Sequence, residues 1–389
     1  MQDFEFYSPT KIYFGKKKET LVGSIIKQYG FKKVLVVCGM SSIKKSGLYD
    51  VVLESLKNEN IEYFVLDNVE PNPKLNLVKK GTLITKTNNV DFILAVGGGS
   101  VIDTAKAIAC AHYLDCDPWL LNAHKVKPVN ALPVGTILTI SAAGSELSNS
   151  CVITNEELKI KSGFNTDLIR PLFSILNPEL TYTVSSYQTA CGIVDMIMHT
   201  LERYLTDVDN LYFEEEVAIG LIKSIIKAGR LALKNPFDFD ARATLMLASS
   251  FSHNGLTGLG GKFYFTVHKL EHELSGRFDH IHHAAGLSIL YAGWAKEVYQ
   301  KLPKKFAYFA RSVFNISDDD DLSCALKGID MLKAFFEEIK MPTSLKEVGV
   351  SEDFIEPMAQ RITNNGTVKV VGFLELDYQL VLNILNNIK

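Results

Sequence analysis

The chain has 389 residues, of which 47% are hydrophobic and 22% are charged, and its formal net charge is −3. This balance is typical of a globular protein in water, and the length suggests two or three domains. Without a basic excess to neutralise phosphates, nucleic-acid binding is not expected. No apolar run approaches the ~20 residues that span a bilayer, and the acidic N-terminus has no signal-peptide pattern. The six cysteines include no CxxC pair, so we expect reduced thiols in a cytoplasmic protein.

The first half of the chain alternates short apolar runs with amphipathic stretches. The runs predict strands at 33–37, 61–66, 92–96, 131–138, 152–154 and 172–176. Between them, the periodicity predicts helices at 48–58, 75–87 and 100–111. Continuous apolar strands that alternate with helices indicate a Rossmann-like parallel sheet with helices on both faces.

The pattern changes at about Thr183, after which helical periodicity dominates. The helical stretches cover 187–205, 213–233, 239–253, 264–274, 286–299 and 326–339. Residues 177–186 are rich in helix-breaking and capping residues, which favours a boundary there. The sequence therefore predicts an α/β domain over residues 1–183 and an all-α domain over residues 184–389.

A glycine-rich turn, Gly97-Gly98-Gly99-Ser100, follows one predicted strand and opens a helix. Glycine lets the backbone approach a phosphate closely, and a helix N-terminus attracts anions. Ser100 is a suitable N-cap, and Asp103 could complete a capping box. The motif is not the GxGxxG fingerprint of dinucleotide-binding folds. It can therefore be either a phosphate site or a simple tight turn between a strand and a helix. A second candidate is the loop 139–146, rich in small and hydroxyl residues, which fits a ribose contact or an ordinary loop equally well.

The end of the strand at 33–37 carries Gly39, Ser41 and Ser42, with Lys44 and Lys45 close by. In dinucleotide-binding folds, an acidic residue near a strand end commonly holds the adenosine ribose. A site without this acidic residue would tolerate or favour a cofactor with a 2′-phosphate on that ribose. Alternatively, the lysines are ordinary surface residues.

Six of the nine histidines lie between residues 253 and 283. Asp195 and His199 are four residues apart in an apolar helical stretch, and His268 and His272 repeat that spacing. This spacing places each pair on one helix face. One carboxylate with several imidazoles suits Zn²⁺ or Fe²⁺ better than Ca²⁺. Spacing alone does not decide which of His280, His282 and His283 would complete such a site.

Taken together, these motifs resemble the iron-containing, group III alcohol dehydrogenase family. The resemblance runs through Pro9–Gly15, Glu70–Pro73, Gly97–Lys106 and Leu138–Glu146 to the histidine region. It is strongest to the butanol dehydrogenase and NADPH-dependent aldehyde reductase branch. It implies an α/β domain for the dinucleotide, a helical domain for the metal and catalysis, and a metal site in the cleft between them.

The resemblance also implies roles for individual residues. Asp195, His199, His268 and His282 match the four metal ligands, and His272 matches a non-ligand histidine near the cofactor and substrate, a candidate for proton transfer. The positions that match cofactor contacts are Gly39, Ser41, Ser42, Asn72, Gly98, Gly99, Ser100, Asp103, Thr139, Ser141 and Lys161. The residues around Gly39 favour NADP(H) over NAD(H).

The implied activity is hydride transfer between NADP(H) and small aliphatic aldehydes or primary alcohols of the butyraldehyde and butanol type. One Fe²⁺ or Zn²⁺ ion is expected, as are a homodimer and no nucleic-acid or membrane partner. Two alternatives within the same fold group are a glycerol dehydrogenase-type polyol oxidoreductase and a dehydroquinate synthase-like non-redox lyase. A catalytically silent metal- or nucleotide-binding protein is a third alternative.

Overall fold

The computed structural model of the protein describes residues 1–39, 42–278 and 280–389. This part of the chain divides into two compact units. An α/β unit comprises Tyr7–Val184 and Ser249–Asn254, and a helical unit comprises Met1–Phe6, Ser185–Ala248 and Gly255–Lys389. The boundary at residue 183 stays a prediction, because a single cut cannot describe units that exchange two short segments.

The α/β unit contains a six-stranded parallel sheet in the order β1-β8-β5-β4-β2-β3. A separate antiparallel pair, β6 and β7, lies outside this sheet. The strands are β1 (Lys11–Phe14), β2 (Lys33–Gly39), β3 (Glu62–Val69), β4 (Phe92–Gly97), β5 (Val134–Leu138), β6 (Ser150–Asn155), β7 (Ile160–Asn165) and β8 (Phe173–Leu176).

The helices of this unit follow the predicted alternation. They are α1 (Val22–Gln28), α2 (Ser42–Lys45), α3 (Leu48–Asn58), α4 (Leu75–Asn88), α5 (Gly99–Ala111) and α6 (Trp119–Asn122). The predicted parallel sheet is confirmed, because β4 is buried along its whole length and pairs with β2 and β5 on its two sides. Burial on both faces explains why its sequence is a continuous apolar run.

Nine helices make up most of the described part of the helical unit. They are α7 (Ser186–Tyr204), α8 (Tyr212–Lys234), α9 (Phe239–His253), α10 (Thr266–Arg277), α11 (His283–Val298), α12 (Pro303–Phe314), α13 (Asp321–Glu338), α14 (Ile355–Ile362) and α15 (Tyr378–Asn386). The last turn of α9 belongs to the α/β unit. The middle of α7 and nearly all of α11 are buried in one large apolar core. Within the described residues, no helix has the length and apolarity that crossing a membrane requires.

Candidate metal centre and cofactor-binding turn

Helix α7 carries the first two predicted ligands. Ser185 caps the helix by accepting a hydrogen bond from the Gln188 backbone N–H, at 3.2 Å. Asp195 and His199 follow one helical turn apart, and each is only 6% exposed. Because the surrounding positions are apolar, the helix carries both polar side chains into the core, where a carboxylate is costly unless it is paired.

Three histidine nitrogens surround the Asp195 carboxylate. Asp195 Oδ1 lies 3.4 Å from His199 Nδ1, 3.8 Å from His268 Nε2 and 4.0 Å from His283 Nε2. Tetrahedral ligands about 2.1 Å from a metal ion would lie roughly 3.4 Å from one another. The four side chains come from α7, α10 and α11. Ligand-type atoms of Asp195, His199 and His268 lie within 4.8 Å of one another, a spacing that suits a single small divalent cation, and His283 is a further donor 4.0 Å from Asp195 Oδ1.

The position of His283 revises one assignment made from the sequence. His282, the expected fourth ligand, is exposed and precedes the first residue of α11, with its ring 5.4 Å from that of Tyr187. Nε2 of His280 lies 3.0 Å from the Val348 carbonyl oxygen. Adjacent residues point in different directions from the chain at a helix start, so only His283 reaches Asp195.

The donor atoms fit a metal ion. Asp195 Oδ1 and His268 Nε2 are buried and have no hydrogen-bond partner within the described chain. Buried polar atoms are nearly always satisfied, so an adjacent oxygen and nitrogen without partners indicate a missing ligand. Three imidazoles and one carboxylate are donors that both Zn²⁺ and Fe²⁺ accept.

Two buried glutamates contact the outer nitrogens of the ligand histidines, and sequence reasoning missed both. The Glu202 carboxylate contacts Nδ1 of His268, and the Glu271 carboxylate contacts Nδ1 of His283. Burial lowers the pKa of His268, but Glu202 and Asp195 outweigh it and raise the pKa to about 9. The spacing from His199 to Glu202 and from His268 to Glu271, three residues in each case, could have revealed them.

His272 lies beside His283, next to this group. Its ring is 5.9 Å from that of His283, and it is partly exposed. Ligand-type atoms of Glu271, His272 and His283 lie within 4.8 Å of one another. His272 is thus a titratable group next to the four-residue cluster.

In the α/β unit, the glycine-rich turn joins β4 to α5. Gly98 is the N-cap of α5, which begins at Gly99, and no described side chain caps the first turn. The expected capping by Ser100 and Asp103 is therefore wrong. Ser100 lies inside the helix, and Asp103 instead accepts hydrogen bonds from the Ser145 hydroxyl (2.6 Å) and the Val152 backbone N–H (3.0 Å). The backbone N–H groups of this turn remain available to an anion.

The second predicted loop lies directly over this turn. A Cβ at Gly98 would lie 2.3 Å from Ile140 Cγ2, so only glycine fits there without a shift. The Thr139 backbone N–H donates to the Gly97 carbonyl oxygen at 3.1 Å. The Ser141 hydroxyl is buried and makes no hydrogen bond within the described residues, which suits contact with a polar ligand.

Lys106, fully buried on α5, holds the end of this loop and the chain that follows it. Its ammonium donates to the carbonyl oxygens of Ser145 (2.6 Å), Ser148 (2.9 Å) and Ser150 (3.0 Å). Burial lowers the pKa of Lys106 to about 8, although Asp103 opposes this effect. Sequence reasoning did not identify Lys106, since a lysine on an apolar helix gives no spacing signal of its own.

The remaining predicted cofactor residues are spread over the α/β unit. Gly39 ends β2 and Ser42 begins α2, while Ser41 lies outside the described residues. Lys44 pairs with Asp67 at 2.8 Å. Asn72 adopts a left-handed backbone conformation after β3. Lys161, on β7, helps to lower the pKa of Asp103, which burial nonetheless keeps raised.

Comparison with known proteins agrees with this arrangement. Residues 9–178 match the model of the family described as iron-containing alcohol dehydrogenase, and residues 189–388 match that of its C-terminal domain. The NADH-dependent butanol dehydrogenase A of Clostridium acetobutylicum is 39% identical over 99% of both chains. The NADPH-dependent aldehyde reductase YqhD of Escherichia coli is 32% identical over 95% of both chains. The crystal structure of NADH-dependent butanol dehydrogenase A from Thermotoga maritima superimposes with a TM-score of 0.96, at 35% identity over 100% of this chain and 99% of that one.

The chain belongs to the iron-containing alcohol dehydrogenase family. This membership confirms the expected two-domain fold and the oxidoreductase class, and it implies a divalent metal ion and a nicotinamide cofactor. Within the family, the chain belongs to the branch of butanol dehydrogenases and aldehyde reductases.

Proposed function

We propose that this protein interconverts small aliphatic aldehydes and primary alcohols of the butyraldehyde and butanol type, with NADP(H) preferred over NAD(H). The observation that carries this proposal is the buried Oδ1 atom of Asp195, which has no hydrogen-bond partner in the described chain and lies among three histidine nitrogens. Such a centre suits a neutral carbonyl or hydroxyl oxygen as its substrate ligand.

Asp195, His199, His268 and His283 would hold the metal ion, either Fe²⁺ or Zn²⁺. When bound, the metal ion supplies Lewis-acid polarisation of a carbonyl oxygen, and the nicotinamide supplies or accepts the hydride. The chain's own task is to fix the donor atoms on three packed helices and to keep the site largely dry, since Asp195 and His268 are each 6% exposed.

The turn at Gly98, Gly99 and Ser100 would hold the cofactor pyrophosphate through backbone N–H groups at the start of α5. Thr139 and the Ser141 hydroxyl, from the loop above it, would line the nicotinamide ribose. Asp103 and Lys161 would complete the polar wall, and Asn72 would lie at its edge. This division leaves the α/β unit to bind the cofactor and the helical unit to bind the metal.

Preference for NADP(H) is supported by the end of β2. Gly39 and Ser42 carry no carboxylate that would repel a 2′-phosphate, we expect the same of Ser41, and the nearby Asp67 carboxylate is paired with Lys44 at 2.8 Å. Related proteins differ in this property, since the butanol dehydrogenases are named as NADH-dependent and YqhD as NADPH-dependent. We expect that Gly39→Asp shifts the preference towards NADH. Its Cβ would meet only the Val69 carbonyl oxygen, at an ordinary 3.7 Å.

His272 is proposed to move the proton that the alkoxide gains or loses, because the unperturbed pKa of histidine, ~6.5, lies near working pH. The expected result for His272→Ala is lower aldehyde reduction and an altered pH profile, with metal content unchanged. If the rate and the profile both match the wild type, His272 is not the proton relay.

The function is tested by steady-state reduction of C3 to C6 aldehydes with NADPH and with NADH, using protein of measured metal content. We expect substrate-dependent, stoichiometric NADPH oxidation that requires the metal. His283→Ala should lose metal and activity, while His282→Ala is the matched control and should retain both. Full activity in metal-free protein, or no aldehyde reduction by metal-loaded protein, would contradict the proposal.

A homodimer and a cytoplasmic location complete the proposal, and both rest on the family resemblance and the scattered thiols. Light scattering of the purified protein measures the first, and fractionation of the source cells measures the second.

A further inference from the structure

Glu202 acts on two parts of the site at once. It lies on α7, seven residues after Asp195 and three after His199, and it is 4% exposed. Its carboxylate accepts hydrogen bonds from the backbone N–H groups of Val267 (2.7 Å) and His268 (3.3 Å), and it contacts Nδ1 of the His268 ring. One buried carboxylate thus holds both the backbone and the ring of His268.

The start of α10 explains why this carboxylate is needed. The N-cap residue is Phe265, whose φ of 49° is left-handed, and no side chain at that position caps the helix. Helix N-termini leave N–H groups without partners and carry a partial positive charge. Glu202 supplies the cap from another helix and so fixes the first turn that presents His268.

Glu271 performs the corresponding task for His283. It is fully buried on α10, three residues after His268, and its carboxylate contacts Nδ1 of His283. Contact with a carboxylate at Nδ1 leaves Nε2 to face the metal position. In both rings it is Nε2 that lies near Asp195 Oδ1, at 3.8 Å for His268 and 4.0 Å for His283.

Gly286 provides the space that Glu271 occupies. A Cβ at this position, three residues after His283 on α11, would lie 2.7 Å from Glu271 Cγ and 2.9 Å from Glu271 Oε1. Both contacts are too close, so any side chain would displace Glu271. A substitution at Gly286 should therefore move the Glu271 side chain without replacing an ionisable group.

We propose that Glu202 and Glu271 are positioning residues that orient His268 and His283 through Nδ1 and thereby set the affinity of the site for its metal ion. This inference rests on the proposed metal site. Three buried carboxylates, those of Asp195, Glu202 and Glu271, meet around these imidazoles, and a divalent cation would offset their charge. Outer carboxylates of this kind typically change metal affinity by ~10–100-fold.

The test measures Zn²⁺ affinity by competition with a chromophoric chelator, together with the absorption spectrum of the Co²⁺-substituted protein. Glu202→Gln and Glu271→Gln should bind Zn²⁺ ~10–100-fold more weakly than the wild type, and the Co²⁺ bands should shift because ligand orientation changes. Glu273→Gln is the matched control, since Glu273 lies on the same helix but pairs with Arg361 at the surface. It should bind Zn²⁺ as the wild type does.

Gly286→Ala tests the same inference should a glutamine variant fail to fold, and Gly220→Ala is its control because a Cβ there meets nothing within 4 Å. Gly286→Ala should weaken Zn²⁺ binding and alter the Co²⁺ spectrum, and Gly220→Ala should do neither. Wild-type affinity and an unchanged spectrum in the folded Glu202, Glu271 and Gly286 variants would overturn the inference and leave the proposed function intact. Failure of the wild type itself to bind one Zn²⁺ would overturn the proposed metal site.

Discussion

The two candidate sites differ in what the chain offers to a ligand. In the α/β unit, the turn at Gly98 offers backbone atoms, and the neighbouring loop leaves no room for a Cβ there. In the helical unit, the site consists of side chains, with Asp195 and three histidines supplied by α7, α10 and α11. In a sequence, a site made of backbone atoms is therefore marked by glycines, which have no side chain. A site made of side chains is marked by the residue types that can bind the ligand.

Buried polar atoms separate the two regions further. The Lys106 ammonium is satisfied by three carbonyl oxygens and so serves to hold a loop. Asp195 Oδ1 and His268 Nε2 are also buried, yet neither has a hydrogen-bond partner within the described chain. Satisfied buried charge indicates a structural role, whereas neighbouring atoms of complementary type without partners indicate a ligand.

Replacing Asp195 is the strongest way to break this comparison. Asp195→Ala removes the atom around which the three histidine nitrogens lie, so we expect loss of bound metal and a fall in kcat/KM of more than ~100-fold, beyond the range typical of outer carboxylates. Metal analysis and steady-state kinetics measure both quantities. His268→Ala should behave in the same way, and metal occupancy equal to the wild type in either variant would contradict the assignment.

Replacing Lys106 tests whether this buried charge in the α/β unit stabilises the fold rather than binds a ligand. Lys106→Met leaves the carbonyl oxygens of Ser145, Ser148 and Ser150 without this donor, and it removes the larger of the two lysine charges that act on Asp103. The expected loss in the free energy of unfolding is about 3–5 kcal/mol, measured by urea denaturation. Metal content per folded molecule should not change, because the helical unit is untouched.

A surface lysine provides the control for that experiment. Lys79 pairs with Asp117 at 2.7 Å, with both side chains about half exposed, so Lys79→Met should cost less than ~1 kcal/mol. Burial holds the pKa of Lys106 at about 8, below its usual 10.5. Below pH 8, folding therefore bears the full free-energy cost of burying the charged amine, and above pH 10.5 this cost is absent. The stability of the wild type relative to Lys106→Met should rise between these two pH values. Equal losses for the two lysine variants would contradict a structural role for Lys106.

The sequence predicts each region to a different depth. Four-residue spacing was enough to bring Asp195 and His199 together, because helix geometry fixes which side chains share a face. The choice between His282 and His283 could not be made, since it depends on the residue at which α11 begins. The antiparallel pair β6–β7 was only half predicted, because the sequence of β7 is largely polar and half exposed. Lys106 was missed because its partners are backbone oxygens distant in sequence.

A single methyl group in the glycine-rich turn should separate the two regions kinetically. Gly98→Ala displaces Ile140 and with it the loop between Thr139 and Ser141. Because this shift moves the proposed cofactor contacts, we expect KM for the nicotinamide cofactor to rise roughly tenfold, which corresponds to about 1.4 kcal/mol of binding free energy, with metal affinity unchanged. Gly220→Ala, on α8, is the control, since its Cβ would meet nothing within 4 Å. Equal KM values for the two variants would show that the position of the loop between Thr139 and Ser141 does not affect cofactor binding.

Asp318 gives a baseline outside both regions and the smallest expected effect. It accepts hydrogen bonds from Lys327 Nζ (2.5 Å) and the Ser323 hydroxyl (2.7 Å), and these contacts lower its pKa from 3.8 to about 2. A lowered pKa contributes stability that is present above pH 3.8 and is lost as the pH falls through about 2. Asp318→Asn should therefore have a slightly lower Tm than the wild type at pH 6, and the two values should converge near pH 2. A Tm difference that does not change with pH would mean that the packing of Asp318, rather than its charge, is responsible for the effect.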